Sequence, residues 1–378
     1  MNVCMSCIFV DTAIDDSIGC IRTKGKCPMN KKIRISGFLI LLILYIVFFG
    51  FIIDREAVYV PVWAVDRTNS PPAGGGAREL VPFETDGFFG YLDMSGSVHF
   101  QEHTLYDVAL SETGYINYSR LSDSLVLKNT EGDIRDSLDI IGYPMYAENR
   151  LLVFSPDRLR LSEYDTAGEC VWTYSFNALI TAIDVSREFI LAGLVNGTLV
   201  LLSNQGEELY SVKPGGSRVE IIYGCAFTRD AGRLAVISGL DPQKLLFIEM
   251  KNDVYRIEEM HTFEEPSRSS VYMEFSPDGT RLLISLASGT FLYYPEEGSL
   301  KTLSAGSTMT GADIHEAGKL SEFLFTRNGG AVLTVMDIGG NFREDIPIPG
   351  GSGYMSVTGN STVFSVDPYF LKADLEVR

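Results

Sequence analysis

One turn motif recurs along this chain at a spacing of 48 to 50 residues, and short apolar runs cut by Gly, Asp, Asn and Pro fill the space between its copies. A single long uncharged stretch precedes them all. Together these observations predict an all-β fold. The expected architecture is a single β-propeller of about seven four-stranded blades, six to eight being open, preceded by one N-terminal transmembrane helix. Composition agrees: 46% of residues are apolar and 11% aromatic, with 22 Phe, 18 Tyr and 36 Gly, a mixture suited to pleated, turn-rich structure.

In chain order, residues 1–36 are expected to be a cytoplasmic N-terminal tail. It carries Cys4, Cys7, Cys20 and Cys27. Cys4-Met5-Ser6-Cys7 has the CxxC spacing at which two thiolates share one zinc, but six residues separate Cys20 from Cys27, too many for the second half of such a site. A second reading treats residues 1–28 as an upstream extension absent from the working protein. Met29-Asn30-Lys31-Lys32-Ile33-Arg34 then begins an export signal.

Gly37–Ile53 holds 17 residues without a charge. As a helix it covers about 25 Å, the short end of a bilayer crossing. Lys24, Lys26, Lys31, Lys32 and Arg34 precede it, and by the positive-inside rule they hold the N-terminus in the cytoplasm and send the body outside. Tyr59 and Trp63 stand where interfacial aromatics would. No small-x-small cleavage site follows Ile53, so the run is expected to be an uncleaved signal anchor, a cleaved signal peptide being the alternative. Residues 54–82 are expected to form a linker, with Thr68–Ala77, rich in Pro and Gly, as the spacer.

The propeller is expected over residues 83–378. Its clearest turn is Phe275-Ser276-Pro277-Asp278-Gly279-Thr280-Arg281-Leu282, where two apolar strands flank a tight turn. Phe227–Leu234 precedes it by 48 residues and Phe325–Leu333 follows by 50, with weaker copies at Ile183–Leu191 and Tyr146–Leu152. Asn196-Gly197-Thr198-Leu199 and Ser288-Gly289-Thr290-Phe291 open a later strand of the unit. Gly-containing turns such as Asp165–Gly168, Asn204–Glu207 and Glu296–Gly298 precede a last strand. Six units follow, at 106–138, 139–176, 177–212, 219–262, 268–303 and 311–348. The remaining pieces, 83–103 and 351–378, are expected to pair into one further blade, which closes the ring and covers its free edges.

These motifs resemble bacterial propellers of the WD40-like and quinoprotein-like (PQQ-like) repeat superfamilies. Phe275-Ser276-Pro277-Asp278-Gly279 is similar to a turn common in WD40-like repeats, and Asp165-Thr166-Ala167-Gly168-Glu169-Cys170-Val171-Trp172 to the Asp-x-x-Gly-x-x-x-Trp signature of quinoprotein-like blades. The resemblance implies a fold and no particular ligand. The chain lacks the Gly-His and Trp-Asp pairs of WD40 proper, and the vicinal cysteines of quinoprotein dehydrogenases. Residues 83–378 contain one Trp.

No sequence constellation for catalysis stands out. His99, His103, His261 and His315 are scattered, and on a strand the first two would lie about 13 Å apart. HExxH, GxSxG and phosphate-loop patterns are missing, and Asp86-Gly87 and Asp278-Gly279 read as turns. Pro214-Gly215-Gly216 and Pro349-Gly350-Gly351 read as connections between units. Cys170 and Cys225 are expected to be buried free thiols, and Trp172 a blade-core anchor. Asn117, Asn196 and Asn360 open glycosylation sequons, which count only in a eukaryotic secretory host.

Of the net charge of −18, residues 54–378 carry −21 and residues 1–53 carry +3, so the body repels nucleic acid. The expected function is a non-catalytic protein-interaction scaffold of the bacterial cell envelope. It would be tethered to the inner membrane, with the propeller in the periplasm, other envelope proteins as partners, and no cofactor. A small-ligand-binding sensor and a propeller-based enzyme are the alternatives. The loops that do not repeat, Leu240–Gln243 and Thr262–Ser270, are where function would be encoded.

Overall fold

The computed structural model describes residues 57–66, 80–85, 87–251, 254–305, 307–315, 320–327, 330–337, 343–348, 354–358, 361–366 and 369–377. Among them are 31 strands in eight antiparallel sheets and no helix, so none long enough to cross a membrane. The run Gly37–Ile53 lies outside the described residues.

The strand β1 spans Ala57–Asp66. Blade one holds β2 (Leu80–Thr85), β3 (Phe88–Asp93) and β4 (Val98–His103). Blade two holds β5 (Asp107–Ser111), β6 (Gly114–Tyr118), β7 (Leu125–Asn129) and β8 (Ile134–Leu138). Blade three is β9 (Tyr143–Ala147), β10 (Arg150–Phe154), β11 (Arg160–Tyr164) and β12 (Cys170–Ser175). Blade four is β13 (Ile180–Val185), β14 (Phe189–Leu194), β15 (Leu199–Ser203) and β16 (Glu208–Val212). Blade five is β17 (Val219–Phe227), β18 (Arg233–Leu240), β19 (Gln243–Lys251) and β20 (Val254–Phe263). Blade six is β21 (Tyr272–Phe275), β22 (Leu282–Leu286), β23 (Gly289–Tyr294) and β24 (Ser299–Ala305). Blade seven is β25 (Thr308–His315), β26 (Leu320–Arg327), β27 (Gly330–Asp337) and β28 (Arg343–Ile348). Blade eight is β29 (Met355–Thr358), β30 (Ser361–Val366) and β31 (Tyr369–Val377), completed on its outer side by β1.

The blade count is therefore eight and not about seven, and the reason lies at the chain ends. The six internal units match blades two to seven. Residues 80–103 form a sheet of their own instead of pairing with residues 355–377. The ring is closed by β1, a stretch expected to be linker, whose partners run from Ala57↔Val377 to Asp66↔Tyr369. Tyr59 and Trp63 thus belong to the propeller and not to a membrane interface: Tyr59 packs against the blade seven and eight core, and Trp63 against Val81, Phe83 and Phe370. Thr68–Ala77 falls outside the described residues.

Successive blades meet through their first strands, β13 against β17, β17 against β21 and β25 against β29, which places these strands around the central channel. Second strands such as β14 and β18 are apolar and buried almost throughout, because both their faces meet a neighbouring blade. Fourth strands such as β12 and β16 are mostly exposed, since they form the outer rim. Cys170 opens β12 and is exposed, against the expectation of burial, whereas Cys225 in β17 is buried; both thiols are free.

Two repeated contacts hold neighbouring blades together. Aromatic side chains on fourth strands seat against glycines in the next blade's third-to-fourth turn: Trp172 against Gly206 and Trp63 against Gly96. Both glycines have positive φ, +75° and +89°. By the same rule, β3 and β4 occupy the third and fourth places of blade one, and β2 the second. The other contact is the arginine that opens a second strand. Arg150 forks onto Glu163 of its own blade (3.0 and 2.6 Å) and donates to the Ser186 carbonyl of the next. Arg233 donates through Nε to Glu249 of its own blade and through Nη1 to the Gly279 carbonyl of the next, and Arg281 reaches Ser321.

Candidate functional site

The alternation of strands gives the propeller two faces. First-to-second and third-to-fourth turns lie on one, called here the turn face; second-to-third turns and blade-to-blade loops lie on the other, the loop face. The Phe275 motif joins β21 to β22 and so belongs to the turn face. Phe325–Leu333 runs from β26 into β27, a second-to-third connection on the opposite face, so the expected equivalence of these two turns is a false register.

On the turn face the repeated acids are used up in capping. Asp278 Oδ1 accepts from Ser276 Oγ at 2.6 Å and from the Thr280 hydroxyl and amide. Partial burial pushes its carboxyl up, but these donors outweigh burial and hold it below its ordinary value. Asp230 makes the same cap with Thr228 and Gly232. The turns of blades four, five and six frame a groove of about 910 Å³ in which Arg187 and Arg229 alternate with Glu188, Asp230, Asp278 and Glu296.

A second cavity, of about 760 Å³, opens into the channel between the first strands of blades two to six. Tyr143, Tyr146 and Tyr223 line it beside Asp107, Asp184 and Glu274. Asp107 accepts from the Tyr118 hydroxyl at 3.1 Å. Asp184 accepts from the amides of Val185 and Phe227, both at 2.9 Å. Burial nevertheless lifts its carboxyl from 3.8 to about 7, and Glu274 and Glu148 push the same way. Cys225, behind it, is held protonated by burial and by Asp184.

The loop face carries the exposed apolar side chains. Leu105, Tyr106, Ile141 and Leu179 lie in loops between blades, Leu121 in the second-to-third turn of blade two, and Val219, Tyr272 and Tyr369 at strand ends on the same side. The other large exposed apolar residues, such as Val171 and Leu209, are on outer strands, Ile134 at the turn-face end of β8; among the described residues none sits within a turn-face turn. Part of the sequence signal for this face was available: Leu121 and Ile141 are large apolar residues set among Ser, Asp and Gly.

The residues weighed from sequence lie apart. His99 meets Asp93 at 3.3 Å, His103 stacks on Phe88, and His261 packs edge-on to Phe263. His315 lies in β25. Among the described residues no three His, Cys, Asp or Glu side chains are gathered as metal ligands. Cys4, Cys7, Cys20, Cys27, Asp86, Asn360 and Pro349–Gly351 fall outside the described residues. Asn117 is spent on the backbone of His103 and Leu105. Trp172, expected to be a blade-core anchor, is partly buried between two blades, its indole donating to Glu163 of its own blade and to the Asn204 carbonyl of the next. The non-repeating loops Leu240–Gln243 and Thr262–Ser270 both reach the loop face, locked together by the reciprocal pair Gln243 and Ser267 (2.9 and 2.8 Å).

A family model described as beta-propeller protein matches residues 26–312. The chain belongs to this family of beta-propeller proteins. A relative from Treponema pallidum (strain Nichols), an uncharacterized protein, is 23% identical over 280 residues, which is 69% of this chain and 73% of the relative. Among solved structures, BamB from Moraxella catarrhalis is 13% identical with a TM-score of 0.57, covering 84% of this chain and 100% of BamB. The computationally designed Ika8 protein is 14% identical with a TM-score of 0.57, covering 80% and 95%. The Dos1 propeller is 13% identical with a TM-score of 0.54, covering 76% and 85%. At these identities the likeness to the solved structures shows a shared fold.

Proposed function

We propose that this protein is a non-catalytic interaction scaffold of the bacterial cell envelope, a propeller tethered to the inner membrane through residues 37–53. One observation carries the reading: among the described residues, the large exposed apolar side chains at turns and loops lie on the loop face, while the described turn-face turns are polar. A protein that used both faces only for solubility would have no cause for that segregation. The chain enters the body at Ala57, at the turn-face end of β1, and the apolar side chains lie at the other end. Only residues 54–56 separate the uncharged run from β1, so a tether there is short and raises the effective concentration of the disc for neighbouring membrane machinery.

Photo-crosslinkers placed at Leu121 and at Arg229 in the native envelope test the scaffold. Discrete, reproducible adducts with envelope proteins are expected, and their absence from both positions rejects the reading. Fractionation tests the tether: the full chain should sediment with membranes, and a chain starting at Arg55 should not.

A small-ligand sensor is a second reading, favoured by the channel cavity with its tyrosines and three carboxylates, which suit a small organic cation. A panel of amines should then raise the melting temperature of the purified protein. No shift with any of them removes this reading.

A further inference from the structure

The loop face is not uniformly apolar. Four of the five loop-face crossings from the entry of blade two to the entry of blade four place Leu105 and Tyr106, Leu121, Ile141 and Leu179 along one arc; the fifth, the polar turn 155–159 of blade three, lies between Ile141 and Leu179. Their exposure is extreme for their type: 91% for Leu121, 67% for Leu105 and 57% for Ile141. Isolated exposed leucines are ordinary; several of them on neighbouring loops of one face are the mark of a contact surface. The loops are also held in place. Asn117 fixes Leu105 through its amide at 2.9 Å, Arg120 lies over the Tyr106 ring at 4.2 Å, and the Leu179 carbonyl accepts from Val195 at 2.9 Å. Such a surface binds without first paying to order itself.

Charge selects the partner. The same arc carries the exposed carboxylates Asp123 and Asp139, which have no hydrogen-bonding or ionic partner among the described residues, whereas its cations Arg120 and Arg158 lie over the Tyr106 and Tyr143 rings at 4.2 and 5.8 Å, and the body as a whole is strongly acidic. Resting on the scaffold reading, we propose that the arc from Leu105 to Leu179 docks a partner segment that presents two or more large apolar side chains interleaved with Lys or Arg. The apolar side chains cover Leu121 and Ile141, and the cations meet Asp123 and Asp139. Charge complementarity of this kind sets partner choice and encounter rate, and the apolar contacts set the lifetime.

A random peptide library displayed on phage and selected against the purified full chain is the direct test. Enriched sequences should combine Leu, Ile, Phe or Tyr with Lys or Arg. Synthetic copies should bind about tenfold more weakly to Leu121→Asp and Ile141→Asp, and severalfold more weakly to Asp123→Asn with Asp139→Asn or in raised salt. They should bind Arg229→Ala, on the other face, as they bind the unchanged protein. All these side chains are exposed, so unchanged melting temperatures confirm that the variants are folded. Enrichment of acidic peptides, no enrichment, or binding indifferent to the arc substitutions overturns the proposal. So does self-association in sedimentation that Leu121→Asp abolishes, which would assign the arc to a second copy. The crosslinking above separates the two ideas: adducts from Arg229 but not Leu121 leave the scaffold standing and remove the arc. Peptide binding without adducts from either face keeps the arc's specificity and removes the scaffold.

Discussion

Asp184 sits on the inner strand of blade four, where the desolvation of a carboxylate exceeds what two amide donors return. Its folded value, about 7, lies above its unfolded one near 4, so between those limits the native state binds more protons than the unfolded state. Stability from this group is present at low pH and is lost as pH rises through about 7. Cys225, Glu274 and Glu148 face it, and none supplies a positive charge to reverse the sign. Asp184→Asn should therefore flatten the decline in melting temperature between pH 4 and 7 and stabilise the protein above pH 7. An unchanged pH profile would show that the carboxyl is solvated. A fully buried acid has a partner across the closing blades: Glu322 of blade seven accepts from Thr362 Oγ1 of blade eight at 2.7 Å, both fully buried. Thr362→Val keeps the shape and removes the donor. A loss of about 1–3 kcal/mol in denaturant unfolding is expected.

The outer-strand aromatic and the turn glycine work as one device between blades. A Cβ at Gly206 would stand 2.6 Å from the Trp172 ring, and the φ of +75° disfavours any side chain there. Gly206→Ala should cost about 1–3 kcal/mol, more than an alanine at an ordinary exposed turn, and much of that cost should vanish when Trp172 is already Ala. A double-mutant cycle by urea unfolding measures it. Both partners were legible in sequence as turn and anchor, because the Asp-x-x-Gly-x-x-x-Trp spacing is local. Their pairing across blades was not, since Gly206 lies 34 residues beyond Trp172, in a turn that reads equally well alone. The same limit produced the false match at Phe325. A tight polar turn between two apolar strands has one composition at either end of a blade, and only strand order tells the two ends apart.

Closure belongs to the whole ring. β1 pairs with β31 over nine positions from Ala57↔Val377 to Asp66↔Tyr369, joining residues more than 300 apart in sequence. A chain beginning at Leu80 keeps every described strand of blades one to seven but leaves the edge of β31 bare. Its melting temperature should fall by about 10 °C or more, and it should associate through that edge. A chain beginning at Arg55 should melt like the full-length protein, and equal behaviour of the two truncations would refute closure by β1.

The sequence by itself determined the repeated unit, the boundaries of six blades and the all-β class, because strand period, turn chemistry and apolar spacing are written within a few residues. It also held the clues to an acidic body and a conspicuous uncharged run near the N-terminus. Tertiary structure alone decided the eighth blade, the strand that closes the ring and the pairing of the two loops at Gln243 and Ser267. It also decided the gathering of Leu105, Leu121, Ile141 and Leu179 on one face. Each of these is a relation between distant residues, and side chains that carry no local signal acquire meaning only when neighbouring blades bring them to the same side.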